Sequence, residues 1–397
     1  MRQPSLRLTL TLAIGSLALL AALLVLRDMY VGWQRLERVE ALREATLLGD
    51  GLFDATEKIS VERDIGYSIL HASGKDIVGD LSRRLLQSRR DTDQLFRDSM
   101  GSLSAYGMAD LNMKLKKAEE QFASLQDLRG KIDAAMALPI AQRDRALSQR
   151  WFKDSTALIM NLQELWMDFA RHYTDIDVFM TLRMRFKHIL GIIMDYSGRQ
   201  RSLIGRLFAE NVDPTPEEQA DLLRWAGVAE NGWVIGGTLA DQGGLAPGIT
   251  PYFNDALSHY FTIHDMVQGI FYVPGAATRP YPISVEFWLD LATQANDSLS
   301  ALKDAAMTQS RDYAEKLEMQ ARLFLLYHAV LLFVALSLCL YALRTVRRRV
   351  LHPLRDLADA LADAAEGKPV TFISADGNRN DEIGALARAL RALQRKT

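Results

Sequence analysis

Two uncharged apolar runs interrupt the alternation of hydrophobic and polar positions along this chain. Residues 323–343 contain no formally charged side chain, and about 20 helical residues are enough to cross the hydrocarbon core of a bilayer. Residues 8–26 form a second such run, which is rich in Leu and Ala. The pattern therefore predicts two transmembrane helices, one over residues 8–26 and one over residues 323–343.

Basic residues around these runs predict their orientation. The second run is followed at once by a basic cluster, namely Arg344, Arg347, Arg348 and Arg349. Arg2 and Arg7 precede the first run, and Lys and Arg mark the cytoplasmic side of a span. We therefore predict a cytoplasmic tip at residues 1–7, a cytoplasmic segment at 344–397, and residues 27–322 on the periplasmic side of an inner (plasma) membrane.

The first run has one alternative interpretation, because a basic start followed by an apolar core is also typical of a signal peptide. The apolar run is long for a signal, and a charged helix begins at Arg27 without an intervening segment of small residues. These features favour an uncleaved anchor.

The segment between the two spans has the apolar spacing of amphipathic helices. Apolar residues at intervals of three and four predict long helices over residues 28–72, 76–137, 141–173 and 175–210. Gly74 and Pro139 separate the first three. Four amphipathic helices predict a bundle, so the fold class is all-α, with a periplasmic helical bundle flanked by two transmembrane helices.

Frequent Gly and Pro residues change the pattern after Pro214. We predict a short helix over residues 217–229, then loops up to Pro282 that contain one short helix near residues 253–267, because Gly and Pro pairs favour turns. Regular helix resumes at Ser284 and is predicted to continue into the second span. Movement of this last helix would then reach the membrane directly.

The composition excludes several classes of function. The net charge is −2 over 397 residues, which gives no basis for nucleic-acid binding. The single cysteine, Cys339, lies in the second apolar run, so no disulfide stabilises the bundle. The histidines are scattered and the Gly pairs lack a following Lys-Ser/Thr, so we predict no metal site, phosphate loop or cofactor. Without an acid/base pair or an activated nucleophile, we expect no enzyme.

Two short heptad-like helices are predicted beyond the basic cluster. Their apolar stripes comprise Leu354, Leu357, Leu361 and Ala364 in the first helix and Ile383, Leu386, Leu390 and Leu393 in the second. One chain cannot bury both stripes, whereas a homodimer can bury them in a parallel four-helix bundle. Pro353 opens the first helix, and Asp381-Glu382-Ile383-Gly384 opens the second.

This segment, from about residue 344 to residue 394, resembles a HAMP domain, the relay of two-span bacterial receptors. The resemblance implies that Pro353, Glu382 and Gly384 belong to the signal relay. An amphipathic juxtamembrane hairpin is the alternative interpretation. Three residues follow Gln394, so we expect either a separate cytoplasmic output protein or a longer protein of which this chain is the input half.

The region between the spans carries a second resemblance. Glu62-Arg63, then Leu70 and Gly74, then Arg89 with Thr92-Asp93 are similar to the opening signature of the NIT domain, a nitrate- and nitrite-sensing helical module. Asp64 stands where that family has Gly, and Ser88 stands where it has Gln. A second family signature is matched by Gly198 and Arg201, with Gln200 in place of Glu. With the late helix around Trp288 and Thr293, the resemblance covers residues 57–304.

The resemblance implies an anion pocket built from arginines on the first and fourth long helices. It identifies Arg63 and Arg201 as the first candidates and Arg199 as the second, with Arg279 as a further candidate. Nitrate is planar and weakly hydrated, so planar guanidinium groups in a partly dehydrated pocket suit it. Gly198 would allow the two helices to approach closely. A solvated surface role is the alternative for each arginine, and the carboxylate of Asp64 would repel an anion beside it.

These observations predict a dimeric inner-membrane receptor that senses a small anion, nitrate or nitrite, and relays helix movement to a cytoplasmic output partner. Two alternatives stay open. An envelope interaction protein would show arginines that do not converge. A receptor for an organic ligand would show an apolar pocket near Trp288 or Trp166.

Overall fold

The computed structural model describes residues 6–72, 75–173, 175–242, 247–271, 281–365 and 379–394. These residues form helices and no strand, which confirms the all-α prediction. The chain divides into two compact units, one formed by Arg38–Glu318 and the other by Met1–Glu37 together with Met319–Thr397.

In chain order, the α-helices of the described residues are α1 Leu6–His71, α2 Lys75–Ala105, α3 Asn112–Met136, α4 Arg145–Arg171, α5 Val178–Glu210, α6 Pro216–Asp241, α7 Thr250–Phe271, α8 Val285–Val346, α9 His352–Ala365 and α10 Glu382–Gln394. At the starts of α4, α5 and α6, the side chains of Asp144, Asp177 and Thr215 cap the helix by accepting a backbone N–H. These caps satisfy amide groups that have no partner inside the helix.

The single helix predicted over residues 76–137 is wrong, because the structure has a hairpin of α2 and α3 there. Gly107 has a φ of +64°, a left-handed conformation that favours glycine and ends helices. Buried Leu111 then precedes α3. Contacts of Arg89 with Asp133 and of Phe96 with Phe122 show that the two helices are antiparallel.

The loops predicted between residues 231 and 282 are also largely wrong, since α6 continues to Asp241 and α7 occupies Thr250–Phe271. Gly236 lies inside α6, where a Cβ atom would approach the Phe253 ring to 3.3 Å. This glycine therefore serves helix packing rather than a turn. Residues 243–246 and 272–280 lie outside the described residues, as does Gly74.

Apolar side chains of the Arg38–Glu318 unit form one large core and two smaller clusters. The large core joins α1 to α2, α3 and α4, with Trp151 and Phe169 of α4 fully buried. The smaller clusters join α5 to α6, α7 and α8, and one of them contains fully buried Trp288. Helices α1 and α5 thus lie where charged residues from both halves of the bundle can meet.

Both candidate membrane spans belong to the other compact unit. Helices α1 and α8 each contain an 18-residue window of high mean hydropathy, 2.4 and 2.5, and neither window is buried. This agrees with the two spans predicted from the sequence. Within this unit Gly32 of α1 faces α8, because a Cβ atom there would come within 2.9 Å of the Phe324 ring.

The segment after the second span has the two predicted helices. A π-helical turn, Arg347–Leu351, precedes α9, and the N–H of His352 donates to the carbonyl of Arg347 across it. Pro353 therefore lies at the start of α9, as predicted. Leu357 and Ala360 of α9 pack against Ile383 and Ala387 of α10. The connector at residues 366–378 and the side chains of Ala364, Leu390 and Leu393 lie outside the described residues.

Helix α10 begins at Glu382, and Gly384 lies in its first turn. The carboxylate of Asp381 accepts the backbone N–H of Gly384 at 3.0 Å. The guanidinium of Arg379 and this N–H together hold the pKa of Asp381 below its usual value. A Cβ atom at residue 384 would lie 2.1 Å from the carbonyl oxygen of Arg379. The turn that opens α10 therefore requires glycine.

Candidate functional site

Arg63 of α1 is fully buried and its donors are used within the protein. Its Nη1 donates to Asp195 at 2.7 Å and to Thr156 at 3.2 Å. Its Nε donates to Asp64 at 3.1 Å, and its Nη2 donates to Ser60 at 3.0 Å. Burial alone would lower the pKa of Arg63, but the two carboxylates outweigh it and raise that pKa. The guanidinium is charged, and its nitrogens are bound to the protein.

Arg199 of α5 is also buried. Its Nη2 donates to the carboxylate of Asp195, one helical turn earlier on the same helix. Its guanidinium carbon lies 4.3 Å from the centre of the Tyr196 ring, a cation–π contact. Asp195 therefore accepts hydrogen bonds from both Arg199 and Arg63. These contacts tie Arg199 to the interior of the bundle.

Arg201 differs from the other two predicted arginines because its side chain is 21% exposed. Its Nη2 donates to the carboxylate of Asp64 on α1. Its Nη1 donates to the amide oxygen of Asn296 on α8 at 3.1 Å. A single guanidinium on α5 thus contacts both α1 and α8.

The structure brings the three predicted arginines together around two carboxylates of the protein itself. We call Arg63, Arg199, Arg201, Asp64 and Asp195 the arginine cluster. Three arginines and two aspartates leave it with one net positive charge. This convergence is contrary to what the envelope interaction alternative predicts.

Gly198 permits the close approach of α5 to α1. A Cβ atom there would lie 2.9 Å from Nη2 of Arg63 and 3.2 Å from Oδ2 of Asp64. The predicted role of Gly198 in helix approach is confirmed. Sequence reasoning missed Asp195, although its spacing from Arg199 is the i, i+4 spacing of helical ion pairs.

A cavity of about 390 Å³ borders the arginine cluster. Helices α1, α2, α5 and α8 line it and leave it open to solvent, and its polar or charged lining includes Lys58, Asp64, Arg84, Asp91, Arg201, Ser202, Trp288 and Asn296. The ammonium group of Lys58 makes no hydrogen bond or ion pair to the described residues. We call this space the larger cavity.

Trp288 places an unsatisfied donor at the wall of the larger cavity. Its side chain is 1% exposed, and Nε1 has no hydrogen-bond partner among the described residues. A Cβ atom at Gly205, which also lines this cavity, would lie 3.2 Å from that nitrogen. Since buried indole N–H groups usually find a partner, this donor is suited to a ligand that accepts hydrogen bonds.

A smaller cavity, of about 40 Å³, shares Arg201 and Trp288 with the larger one. It lies among α5, α6, α7 and α8, and its lining is mostly apolar, with Ile204, Ala226, Ile263, Val267 and Leu299. This is the apolar pocket near Trp288 that the organic-ligand alternative predicts. The space beside Trp166 is only about 10 Å³, roughly the volume that one water requires.

The remaining predicted site residues fall elsewhere. Arg279 lies outside the described residues. Pro353, Glu382 and Gly384 lie at the starts of α9 and α10, and their role in signal relay stays a prediction. Within the described ranges, no group of three or more His, Cys, Asp or Glu side chains is arranged to hold a metal ion.

Comparison with known proteins assigns the segment after the second span. A family model described as HAMP domain matches residues 345–397, which confirms the predicted HAMP domain. No curated protein matches the chain. The resemblance to NIT domains is not confirmed by these comparisons.

The structure of the NasR transcription antiterminator is similar to this one. The TM-score is 0.58 at 14% sequence identity, over 94% of this chain and 100% of that one. At this identity the similarity shows a shared helical fold alone. The chain thus carries a HAMP domain after the second of two candidate membrane helices, the organisation of a transmembrane signalling receptor.

Proposed function

We propose that this receptor is a homodimer whose helical domain lies in the periplasm and binds a small anion in the larger cavity. Nitrate and nitrite are the first candidates. Binding is relayed through α8 and the HAMP domain to a cytoplasmic output protein. The observation that carries the proposal is the position of Arg201, which lies at the cavity wall and contacts both α1 and α8.

The chemistry of the larger cavity supports an anion. The guanidinium of Arg201 is planar and partly exposed, the ammonium of Lys58 is unpaired among the described residues, and the buried indole N–H of Trp288 is an unused donor. A weakly hydrated planar anion loses little on leaving water and fits planar guanidinium donors. The net positive charge of the arginine cluster acts in the same direction.

The two helices that Arg201 contacts could carry a signal from this site to the membrane. An anion that takes a hydrogen bond from Nη2 of Arg201 competes with Asp64 of α1, while Nη1 of Arg201 keeps Asn296 of α8 as its acceptor. Each of these helices also contains a candidate span. A ligand shifts a conformational equilibrium when it binds one conformation more tightly than the other. Here the conformations with and without the anion differ in whether Arg201 connects α1 to α8.

The HAMP helices support the homodimer. Within one chain α9 and α10 bury Leu357 and Ile383 against each other, whereas Leu361 and Leu386 are 58% and 56% exposed. Large exposed apolar side chains at heptad spacing are typical of a surface that another helix covers. A second copy of the chain supplies such helices, as the sequence predicts.

Calorimetric titration of the full chain in lipid nanodiscs tests the ligand assignment, with nitrate, nitrite, chloride and sulfate as the injected anions. We expect saturable binding that is selective for nitrate or nitrite, together with a higher thermal unfolding midpoint. Absence of heat and of stabilisation with every anion would reject the assignment and leave the receptor organisation intact.

A second candidate function is the sensing of a small organic molecule, which the smaller cavity favours. Ala226 lines this cavity but not the larger one, so Ala226→Leu fills one and leaves the other. Under the anion proposal this variant retains nitrate binding. If the variant instead abolishes a response to an organic molecule and nitrate has no effect on the wild-type chain, the second function is correct.

A further inference from the structure

Asp64 occupies a position within the arginine cluster that suits an anionic ligand. Its Oδ1 accepts from Nε of Arg63 at 3.1 Å and from Oγ of Ser202 at 2.7 Å. Its Oδ2 accepts from Nη2 of Arg201. One carboxylate of α1 is therefore held by two guanidinium groups and a hydroxyl, which is the donor set of an anion-binding site.

Asp195 provides the internal comparison. It also accepts from two arginines, Arg63 and Arg199, but its side chain is only 2% exposed and it lines none of the cavities described above. The side chain of Asp64 is 10% exposed and lines the larger cavity. The larger cavity therefore gives solvent anions access to Asp64 and to Arg201, one of its donors, whereas neither cavity is lined by Asp195.

We propose that Asp64 is a tethered anion, which fills a binding site for small monovalent anions and sets their affinity by competing with them. Nitrate or a small monocarboxylate such as formate enters from the larger cavity and takes the donors that Asp64 uses. The physiological meaning of this competition rests on the proposed anion-sensing function. The existence of the site does not, because the donors of Asp64 remain in place whatever the natural ligand is.

Removing Asp64 should make anion binding at this site detectable, because it increases the net positive charge of the arginine cluster. With both aspartates the cluster has one net positive charge, and without Asp64 it has two. A buried guanidinium group that loses its carboxylate partner strongly destabilises the folded protein, unless another anion replaces the carboxylate. A competitor attached to the protein also lowers the apparent affinity of an external ligand, since the ligand binds only the fraction of molecules in which Asp64 has moved away.

Displacement of Asp64 has a direct structural consequence. Arg201 then loses its contact with α1 but keeps Asn296 of α8 as an acceptor. The ligand therefore weakens the connection of α1 to α5 without removing the connection of α5 to α8.

Anion rescue of two matched variants of the full chain tests the proposal. Asp64→Ala and Asp195→Ala each remove one carboxylate from the same cluster. Thermal unfolding is measured in sodium formate, sodium nitrate and sodium sulfate at equal ionic strength. Both variants should unfold at a lower temperature than the wild type. Formate and nitrate should raise the unfolding midpoint of Asp64→Ala by roughly 2–4 °C relative to sulfate. The same anions should raise the midpoint of Asp195→Ala by no more than they raise the midpoint of the wild type.

A second variant keeps the test decisive if Asp64→Ala does not fold. Asp64→Asn retains the shape of the side chain and removes its charge. Titration calorimetry with formate and with nitrate should show at least tenfold tighter binding to this variant than to the wild type. Equal responses of the two alanine variants, or no gain in affinity for Asp64→Asn, overturn the proposal.

The outcomes separate this proposal from the function proposed above. A wild-type chain that binds no nitrate, together with anion rescue of Asp64→Ala, rejects nitrate sensing and supports the tethered anion. A wild-type chain that binds nitrate, together with an Asp64→Asn variant that binds it no better, supports nitrate sensing and rejects the tethered anion.

Discussion

Helix α1 carries a second ionic cluster beside the arginine cluster, and the two differ in their surroundings. Fully buried Glu62 accepts from Nε and Nη2 of Arg129 at 2.7 and 2.8 Å. Arg129 also donates to Asp93, and Arg89 donates to both oxygens of Asp133. We call these five residues the Glu62 cluster. It joins α1 to the hairpin of α2 and α3, whereas the arginine cluster joins α1 to α5.

The difference lies in charge and in access. Two arginines and three carboxylates leave the Glu62 cluster with one net negative charge, and it lines none of the cavities described above. The arginine cluster has one net positive charge and borders a cavity of about 390 Å³. Consecutive buried charged residues of one helix can therefore form a stabilising ionic cluster on one side, here the Glu62 cluster, which we call the brace. On the other side of the helix they can form a candidate ligand site. Ion pairing alone does not distinguish the two.

The largest expected effect comes from breaking the brace. Glu62→Ala leaves Arg129 buried without its two-point carboxylate partner, so we expect a loss of about 3–5 kcal/mol in the free energy of unfolding. Denaturant unfolding followed by circular dichroism measures it. Asp93→Ala removes a carboxylate that is 31% exposed and should cost at most about 1 kcal/mol. Equal losses would show that burial of Glu62 is not what stabilises the brace.

Removing a donor from the site should affect binding more than stability. Arg201→Gln removes a charge-assisted hydrogen bond, worth about 1.5–3 kcal/mol, so nitrate should bind roughly 10- to 100-fold more weakly. Titration calorimetry measures the loss. Arg84→Gln makes the same charge change elsewhere on the cavity wall and should have a smaller effect. Similar losses in the two variants would indicate general attraction by positive charge rather than a specific site.

A methyl group at the contact of α1 with α5 should disturb the arginine cluster selectively. Gly198→Ala places a Cβ atom against Arg63 and Asp64, and we expect a loss of about 1–3 kcal/mol in stability. The control is Gly130→Ala in α3, where no atom lies within 4 Å of the added methyl. That variant should gain about 0.5–1 kcal/mol from helix propensity. Stability assays that rank the two variants in the opposite order would contradict this packing.

The smallest expected effect concerns an ion pair that belongs to neither cluster. Burial alone would raise the pKa of Glu57, but Lys303 of α8, together with smaller contributions from Lys58 and the Ser300 hydroxyl, outweighs it and lowers that pKa below the usual 4.5. Because the folded-state pKa is depressed, the stabilisation is complete above pH 4.5 and is lost as the pH falls through the folded-state value.

Acid unfolding followed over a pH series measures this contact between α1 and α8. Lys303→Gln should shift the acid unfolding midpoint to higher pH, because Glu57 then loses the cation that favours its charged form. Asp54→Asn serves as the control, since it leaves the contact between Lys303 and Glu57 in place. An unchanged midpoint in Lys303→Gln would show that this ion pair contributes nothing to acid stability.

Helical periodicity was sufficient to predict much of the fold, including α4, α5, α8 and the two HAMP helices, because long apolar stripes have a clear spacing. It failed at Gly107 and at Gly236 for opposite reasons. The first glycine ends a helix through a positive φ, and the second lies inside a helix against an aromatic ring. Sequence spacing alone does not separate these two uses of glycine, since the difference lies in tertiary contacts.

The candidate site was predicted in part. The three arginines were identified through a family resemblance, and the structure places them together. Asp195 was missed because an Asp four residues before an Arg is common on solvated helices. Asp64 was expected to repel an anion, whereas it accepts hydrogen bonds from Arg63 and Arg201. The sequence identifies the charges, but their partners depend on how the helices pack.

The π-helical turn before the HAMP domain fixes a phase relation along the chain. Each residue of an α-helix advances the side chains by about 100°, and a π-turn accommodates roughly one residue more than an α-turn. Arg347–Leu351 forms such a turn between α8 and α9. Deleting one residue there would restore a regular α-turn and leave the stripe of Leu354 and Leu357 close to its present orientation, whereas deleting one residue from the regular α-helix that precedes it would rotate that stripe by about 100°. The π-turn therefore allows the basic segment to contain one residue more than a regular α-helix without changing the side of α9 on which the apolar stripe lies.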